Sequence, residues 1–448
     1  MNTATAKNNS GSFALIGVLA FAMVISVMNS TMFNVALPVL RQEFELSSSQ
    51  VSWVVTAYII VYAIGSVTYG KLADKFGLKN LITFGLICFA VGSLVGMFAT
   101  GFGMIIAGRV FQSIGASVIP ASSMLIPIRY VSTEQRGRAL GITSAGMALG
   151  TAIGPIVAGF LLGFASWRFL FAISLLVLIA LPFFRRYLKT EPSIPGKADL
   201  PGGVLLAATI ALLLLSITGR SWGYAAATLA AFLLFVWRIR RANQPFVDPG
   251  IFRIGKYTMG LIIGCMVLTL NLCVPYLIPQ LLSSVNGLNS LQTGMVMFPG
   301  AVVAALLGLV GGRIADAKGN IFLFAWAFAL QLAGYIVLFS YIGMGSWPIA
   351  LLLIVVNTGL TFAQITLANT VSRTLSGPQT GVGMGIYMMS SFIAGAVGTS
   401  VLGLVLDGRS GDGGTFGSIF GFFAIWIAAA AVLYFVTFGR KAATKVWA

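Results

Sequence analysis

The sequence predicts an all-α membrane protein of fourteen transmembrane helices, arranged as two six-helix bundles and a two-helix insert. Three observations lead there. Hydrophobic residues make up 58% of the 448 residues and charged residues only 8%, with a mean hydropathy of +0.97. A water-facing shell of this size needs far more charge. Apolar runs of roughly 20 residues, the length that crosses about 30 Å of hydrocarbon, recur from one end of the chain to the other. The basic residues fall in the short gaps between those runs.

Helix 1 is predicted at 13 to 37, after a short tail carrying Lys7. Its apolar run continues past Ala22 through Asn34 without a small-residue cleavage pattern, so it reads as a retained span rather than a signal peptide. Helix 2 (51 to 70) ends at Lys71, Lys75 and Lys79; helices 3 (80 to 99) and 4 (104 to 127) bring the chain back to Arg129, Arg136 and Arg138. Helices 5 (139 to 163) and 6 (167 to 184) end at Arg185, Arg186, Lys189 and Lys197. Helices 7 (202 to 218) and 8 (222 to 238) end at Arg238, Arg240, Arg241, Arg253 and Lys256. Helices 9 (257 to 281) and 10 (291 to 312) lead to Arg313 and Lys318, and helices 11 (321 to 342) and 12 (347 to 368) to Arg373. Helices 13 (381 to 405) and 14 (417 to 438) close on Arg440, Lys441 and Lys445. With the N-terminus in the cytoplasm, 22 of the 27 basic residues fall inside, as membrane insertion requires. An odd helix count would break that pattern midway, so both termini are expected in the cytoplasm of a bacterial inner membrane.

The net charge of +17 is therefore a matter of topology and of anionic lipid headgroups, not of nucleic acid. Cys88, Cys265 and Cys273 each sit inside an apolar run, with no CxxC and no paired framework, and the chain has no histidine. Metal sites, cofactors and a membrane-embedded enzyme thus have almost no ligands or acid-base groups to draw on. A small-molecule substrate, a coupling ion and the bilayer are the expected partners, and a monomer is the expected state.

An internal repeat organises the chain. Gly70-Lys71-Leu72-Ala73-Asp74-Lys75-Phe76-Gly77 follows helix 2, and Gly312-Arg313-Ile314-Ala315-Asp316-Ala317-Lys318-Gly319 follows helix 10. Both fit G-[KR]-[LI]-A-D-x-x-G, each between the second and third helix of a six-helix block. This implies two parallel halves. The divisions are residues 1–190 (helices 1 to 6), 199–240 (the insert, helices 7 and 8), 257–438 (helices 9 to 14) and a cytoplasmic tail at 439–448. In a tight turn the glycines relax the backbone and the Asp complements a helix N-terminus.

Helix 1 ends in Asn29-Ser30-Thr31-Met32-Phe33-Asn34-Val35-Ala36-Leu37-Pro38, helix 2 carries Trp53-Val54-Val55-Thr56-Ala57-Tyr58, and helix 4 carries Arg109-Val110-Phe111-Gln112-Ser113-Ile114-Gly115. Helix 5 carries Gly146, Gly150 and Gly154 at four-residue spacing, followed by Pro155 and Gly159, and Pro245-Phe246-Val247-Asp248-Pro249 precedes helix 9. With the octapeptide, these motifs resemble the fourteen-helix drug:proton antiporter branch of the major facilitator superfamily over nearly the whole chain, most of all its Gram-positive tetracycline-efflux subgroup. The resemblance implies export of small amphiphilic compounds, drugs such as tetracycline among them, by alternating access with proton antiport. It makes Asp74 a gate carboxylate with Arg136 or Arg138 as partner, and Asp316 its counterpart. It makes the helix 5 glycines, with the proline bend, an antiporter motif. Asn29 stands where the branch has an acid, and Ser113 where glycine is usual.

Arg109 at membrane depth is a functional-site candidate, because such a charge is expensive unless it faces protein or a wet cavity. The alternative is an arginine that holds the bundle together. Asn29, Asn34, Gln112, Asn271 and Tyr387 complete the expected cavity lining, with Met388 and Met389 as adaptable neighbours. None of the ten acidic residues falls in mid-membrane, and Ser391 to Gly398 lacks the penultimate-helix acid of the tetracycline exporters. Asp74, Asp316 and Asp407 remain as groups that could titrate. An arginine without a nearby acid favours neutral, zwitterionic or anionic substrates over strong cations. A metabolite or anion carrier of the same fold, and a sodium-coupled exporter, stay open beside the drug exporter.

Overall fold

The computed structural model describes the backbone of residues 3–131, 136–189, 199–219, 221–242, 245–247, 249–340, 343, 345–375, 377–408 and 413–439. Fourteen helices among them are long and apolar enough to cross a membrane. Helix 1 is Thr3–Glu43, helix 2 Ser48–Phe76, helix 3 Leu78–Met97, and helix 4 Phe102–Ala116 continued by Val118–Tyr130. Helix 5 is Arg136–Phe164, and helix 6 runs from Arg168 to Tyr187 with a tighter 3-10 stretch at Leu175–Ile179. Helices 7 and 8 are Leu200–Gly219 and Trp222–Arg241. Helices 9 to 14 are Gly255–Ser284, Ser290–Lys318, Asn320–Ser340, Ser346–Ser372, Gly377–Gly408 and Gly413–Phe438.

Most helices outrun the apolar segments that predict them, because their first and last turns are polar. The two octapeptides show this best. They are not loops: helix 2 continues to Phe76 and helix 10 to Lys318, and only the final glycine turns. Gly77 has φ 71° and ψ 138°, and Gly319 has φ 84° and ψ 161°. A side chain at either would be strained by roughly 1–3 kcal/mol, so the repeated glycine is a one-residue reversal between helices.

The chain divides into two compact units, one of residues 1–46 and 53–246, the other of 47–52 and 247–448. The insert helices 7 and 8 thus fall in the first unit. Inside that unit helix 5 lies on helix 1 along its glycines: a Cβ on Gly146 would stand 2.8 Å from the Ala20 carbonyl oxygen, and one on Gly150 2.7 Å from that of Val24. Small residues at this spacing let two helices approach at backbone distance in a lipid environment, where no hydrophobic force drives association. In the second unit helix 13 lies on helix 9, with Gly398 against the side chains of Thr269 and Cys273 and Gly395 against that of Leu272. Helices 3 and 4 meet at Gly92 and Gly108, and helices 11 and 12 at Gln331 and Gly359. The same helix pairs therefore pack in both units, as a parallel repeat requires.

Candidate functional site

The centre of the first unit holds a polar cluster built on helix 4. Arg109 and Gln112 are three residues apart, so they share one helix face. Both are completely buried, as are Asn29 on helix 1, Ser93 on helix 3 and Ser174 on helix 6. The Arg109 guanidinium donates through Nε to the Val54 carbonyl at 3.0 Å, and through Nη1 to Asn29 Oδ1 at 2.7 Å and Gln112 Oε1 at 3.0 Å. Asn29 Nδ2 donates in turn to Ser174 Oγ at 2.6 Å, and Gln112 Nε2 to Ser93 Oγ at 2.8 Å. The guanidinium also lies over the rings of Phe33 and Tyr58, each centroid 4.1 Å from Cζ.

Burying a charge costs several kcal/mol even after relaxation. Among the described residues the compensation comes from carbonyl oxygens and two aromatic faces, not from a carboxylate. Arg109 Nη2 has no hydrogen-bond partner among the described residues. The departure at Ser113 also finds its reason, since its Oγ donates to the Tyr58 carbonyl at 2.5 Å and ties helix 4 to helix 2 one turn beyond Val54. Helices 1, 2, 3, 4 and 6 are thereby joined through one arginine.

Of the remaining candidates, Asn34 follows on helix 1, is 7% exposed, and has an Oδ1 without a described partner. Gly154 abuts Thr31 on helix 1, and Pro155 sits within a continuous helix 5 alongside buried Gly159. Asn271 and Tyr387 belong to the second unit. Asn271 is half-buried; Tyr387 is fully buried against Gly264, and its hydroxyl has no described partner. The side chains of Asp74, Asp316, Arg136 and Arg138, and the whole of Asp248 and the tail from 440, lie outside the described residues, as does any structural detail at Gly70 beyond its helical backbone.

Two carboxylates have partners that were not expected from the sequence. Asp199, whose side chain is 2% exposed, accepts Arg238 Nε at 3.0 Å and the backbone N–H groups of Gly202 at 3.2 Å and Phe246 at 3.1 Å. It joins both insert helices to the segment that leaves them. Asp407, at the end of helix 13, accepts the N–H groups of Ser48 and Ser49. An Asp before Leu200-Pro201-Gly202 is a helix-start signal, and so are Ser47-x-x-Gln50 and Asn289-x-x-Gln292. These signals were present in the sequence and point to the helix ends at which polar partners gather.

The sequence profile of the Major Facilitator Superfamily matches residues 19–399. The chain is 29% identical over 308 residues to the riboflavin transporter RibZ of Clostridioides difficile strain 630, covering 67% of this chain and 68% of that protein. It is 26% identical over 416 residues to the methylenomycin A resistance protein of Bacillus subtilis strain 168, covering 89% of each. Among solved structures it is similar to the peptide transporter POT in complex with sulfate, with a TM-score of 0.70 at 15% identity over 97% of this chain and 94% of that one. It is also similar to a bacterial homologue of the human lysosomal transporter Spinster, with a TM-score of 0.67 at 15% identity over 95% and 96%. At that identity the two structures speak for the fold alone. A fourteen-helix chain with a repeated packing scheme and a profile match over most of its length belongs to the major facilitator superfamily and is a multi-pass membrane transporter.

Proposed function

We propose that this transporter exports small neutral, zwitterionic or anionic amphiphiles from a bacterial cell across its inner membrane by alternating access coupled to proton antiport. The observation that carries the substrate class is Arg109: its side-chain partners are the neutral amides of Asn29 and Gln112 and the faces of Phe33 and Tyr58. A buried positive charge with no carboxylate beside it among the described residues projects a positive potential that water screens poorly. Arg109 acts through that field and as the tie of its bundle. Export is supported by the glycines of helix 5, by their resemblance to the antiporter motif, and by likeness to a methylenomycin A resistance protein.

In this reading Asp74 with Arg136 or Arg138, and Asp316 in the repeat, serve the cytoplasmic gate, with Gly70 and Gly77 shaping the first copy. Asn34, Asn271 and Tyr387 offer polar groups to substrate, both termini are cytoplasmic, and the transporter works as a monomer. Tetracycline is one candidate substrate. Likeness to a riboflavin transporter favours a second reading, a carrier of a metabolite. Uptake into inverted membrane vesicles, compared across tetracycline, riboflavin, an anionic dye and ethidium, tests the proposal. Accumulation of the uncharged or anionic compounds with ethidium excluded is expected; ethidium taken up as well as the rest refutes the substrate class.

A further inference from the structure

A helix begins with N–H groups that have no partner within it. At helix 2, Ser47 and Gln50 answer two of these needs reciprocally: Ser47 N donates to Gln50 Oε1 at 2.9 Å, and Gln50 N donates to Ser47 Oγ at 3.1 Å. The N–H groups of Ser48 and Ser49 are left over. Both are taken by a carboxylate from far along the chain, Ser48 donating to Asp407 Oδ1 and Ser49 to Oδ2 at 2.8 Å.

The approach is built in. Gly403, one turn before Asp407, leaves no room for a side chain, since a Cβ there would stand 2.9 Å from the Ser48 carbonyl oxygen and 3.1 Å from Ser49 Cα. Tyr276 on helix 9 donates its hydroxyl to that same carbonyl at 3.2 Å. Residues 47–52 accordingly group with the second unit, although the rest of helix 2 up to its end groups with the first. The charge distribution puts this face of the protein outside the cell. Helix 5, the repeat counterpart of helix 13, ends in Leu161-Leu162-Gly163-Phe164 with no acid, so the device belongs to one half only.

We propose that Asp407 is a proton-controlled latch: ionised, it holds the first turn of helix 2 on helix 13, and protonated from the outer solution, it lets that turn go. The proton adds to one carboxylate oxygen and no other bond is made or broken. That oxygen then becomes a donor facing an N–H donor, so one of the two hydrogen bonds is lost. The remaining one no longer joins a negative charge to the positive end of a helix. The groups that hydrogen-bond Asp407 are the backbone N–H groups of Ser48 and Ser49, and the nearest titratable group placed on that turn is Tyr276 of helix 9, on the Ser48 carbonyl. No lysine or arginine among the described residues pairs with it. The latch rests on the proton-antiport reading above and names a coupling carboxylate for it.

Hydrogen exchange of the intact protein in detergent, followed by mass spectrometry on overlapping peptides covering residues 45–52, tests this without any substrate. After correction for the intrinsic rate at each pH, wild-type amides 48 and 49 should be protected at neutral pH. They should lose that protection as acid titrates the carboxylate, a change that needs no variant. Asp407→Asn should exchange there on the order of ten times faster at neutral pH and no longer respond to acid, while Asp407→Glu keeps the response. Unchanged exchange elsewhere in the chain shows that the variants are folded. Protection that is indifferent to pH in the wild type, or equal in the wild type and Asp407→Asn, overturns the latch. A pH-dependent latch in a protein that moves no protons with substrate upholds the latch and removes the antiport reading.

Discussion

Arg109 Nη1 donates to Asn29 Oδ1 over 2.7 Å in a fully buried setting, so a guanidinium at membrane depth is held by a neutral amide. The antiporter branch that the sequence resembles carries an acid at the Asn29 position, where an arginine would find its countercharge. The exchange of acid for amide keeps the hydrogen bond and leaves the charge standing.

Replacing Asn29 with Ala removes the amide that Arg109 and Ser174 share, and is expected to destabilise the protein by about 1.5–3 kcal/mol in equilibrium unfolding. Replacing it with Asp should instead leave the fold intact, supply the countercharge, and raise export of ethidium on the order of ten-fold in vesicles. An Asn29→Asp protein that still excludes ethidium would show that the Arg109 field does not select substrate.

The stripe of glycines on helix 5 separates two kinds of close contact. At Gly150 the obstacle to a side chain is the Val24 carbonyl at 2.7 Å, which belongs to the backbone of helix 1 and cannot turn aside. At Gly154 the nearest obstacle is the hydroxyl of Thr31, with the Thr31 Cβ at 3.0 Å and the Met28 carbonyl oxygen at 3.3 Å farther off. Gly150→Ala should therefore cost about 1–3 kcal/mol whatever occupies position 31, whereas Gly154→Ala should be relieved by a simultaneous Thr31→Ala. The double-mutant cycle in thermal unfolding should give a coupling for the second pair and none for the first.

Asp199 anchors the insert through one side-chain partner and two backbone amides. Removing Arg238 by Ala leaves the buried carboxylate with its two backbone donors, and removing the carboxylate by Asp199→Ala frees all three groups at once. Loss of one partner of a buried pair costs about 3–5 kcal/mol. Arg238 is 37% exposed, so the lower end applies to it. Asp199→Ala should make the Phe246 segment cleavable by a protease that leaves the wild type whole, with Arg238→Ala intermediate.

Hydropathy and the positions of lysine and arginine were enough to place all fourteen helices, because a bilayer punishes error in either. They could not tell where the helices end. Lys71 to Phe76 reads as a loop by its charge yet completes helix 2, and Ser117 interrupts helix 4 where the sequence runs on without a break. At the site the difference is one of partners. Arg109 and Gln112 stand out in an apolar helix on sight, and Ser113 as a departure from the motif. That their acceptors are Asn29, the Val54 carbonyl and the Tyr58 carbonyl depends on how helices 1, 2 and 4 meet. The helix-start signals at Asp199 and Ser47 mark where free N–H groups lie, but that Asp199 also takes the N–H of Phe246, and that Asp407 takes those of Ser48 and Ser49, depends on contacts between distant segments.

The measurement that bears most directly on the proposed function is the fluorescence of a pH probe trapped inside proteoliposomes, read as substrate is added across an imposed proton gradient. Antiport predicts that an uncharged or anionic amphiphile moves protons in the opposite direction, that the signal needs both the gradient and the compound, and that ethidium gives none. A folded wild-type protein that accumulates such a compound while the internal pH stays unchanged, and does so only when sodium is supplied, contradicts proton antiport.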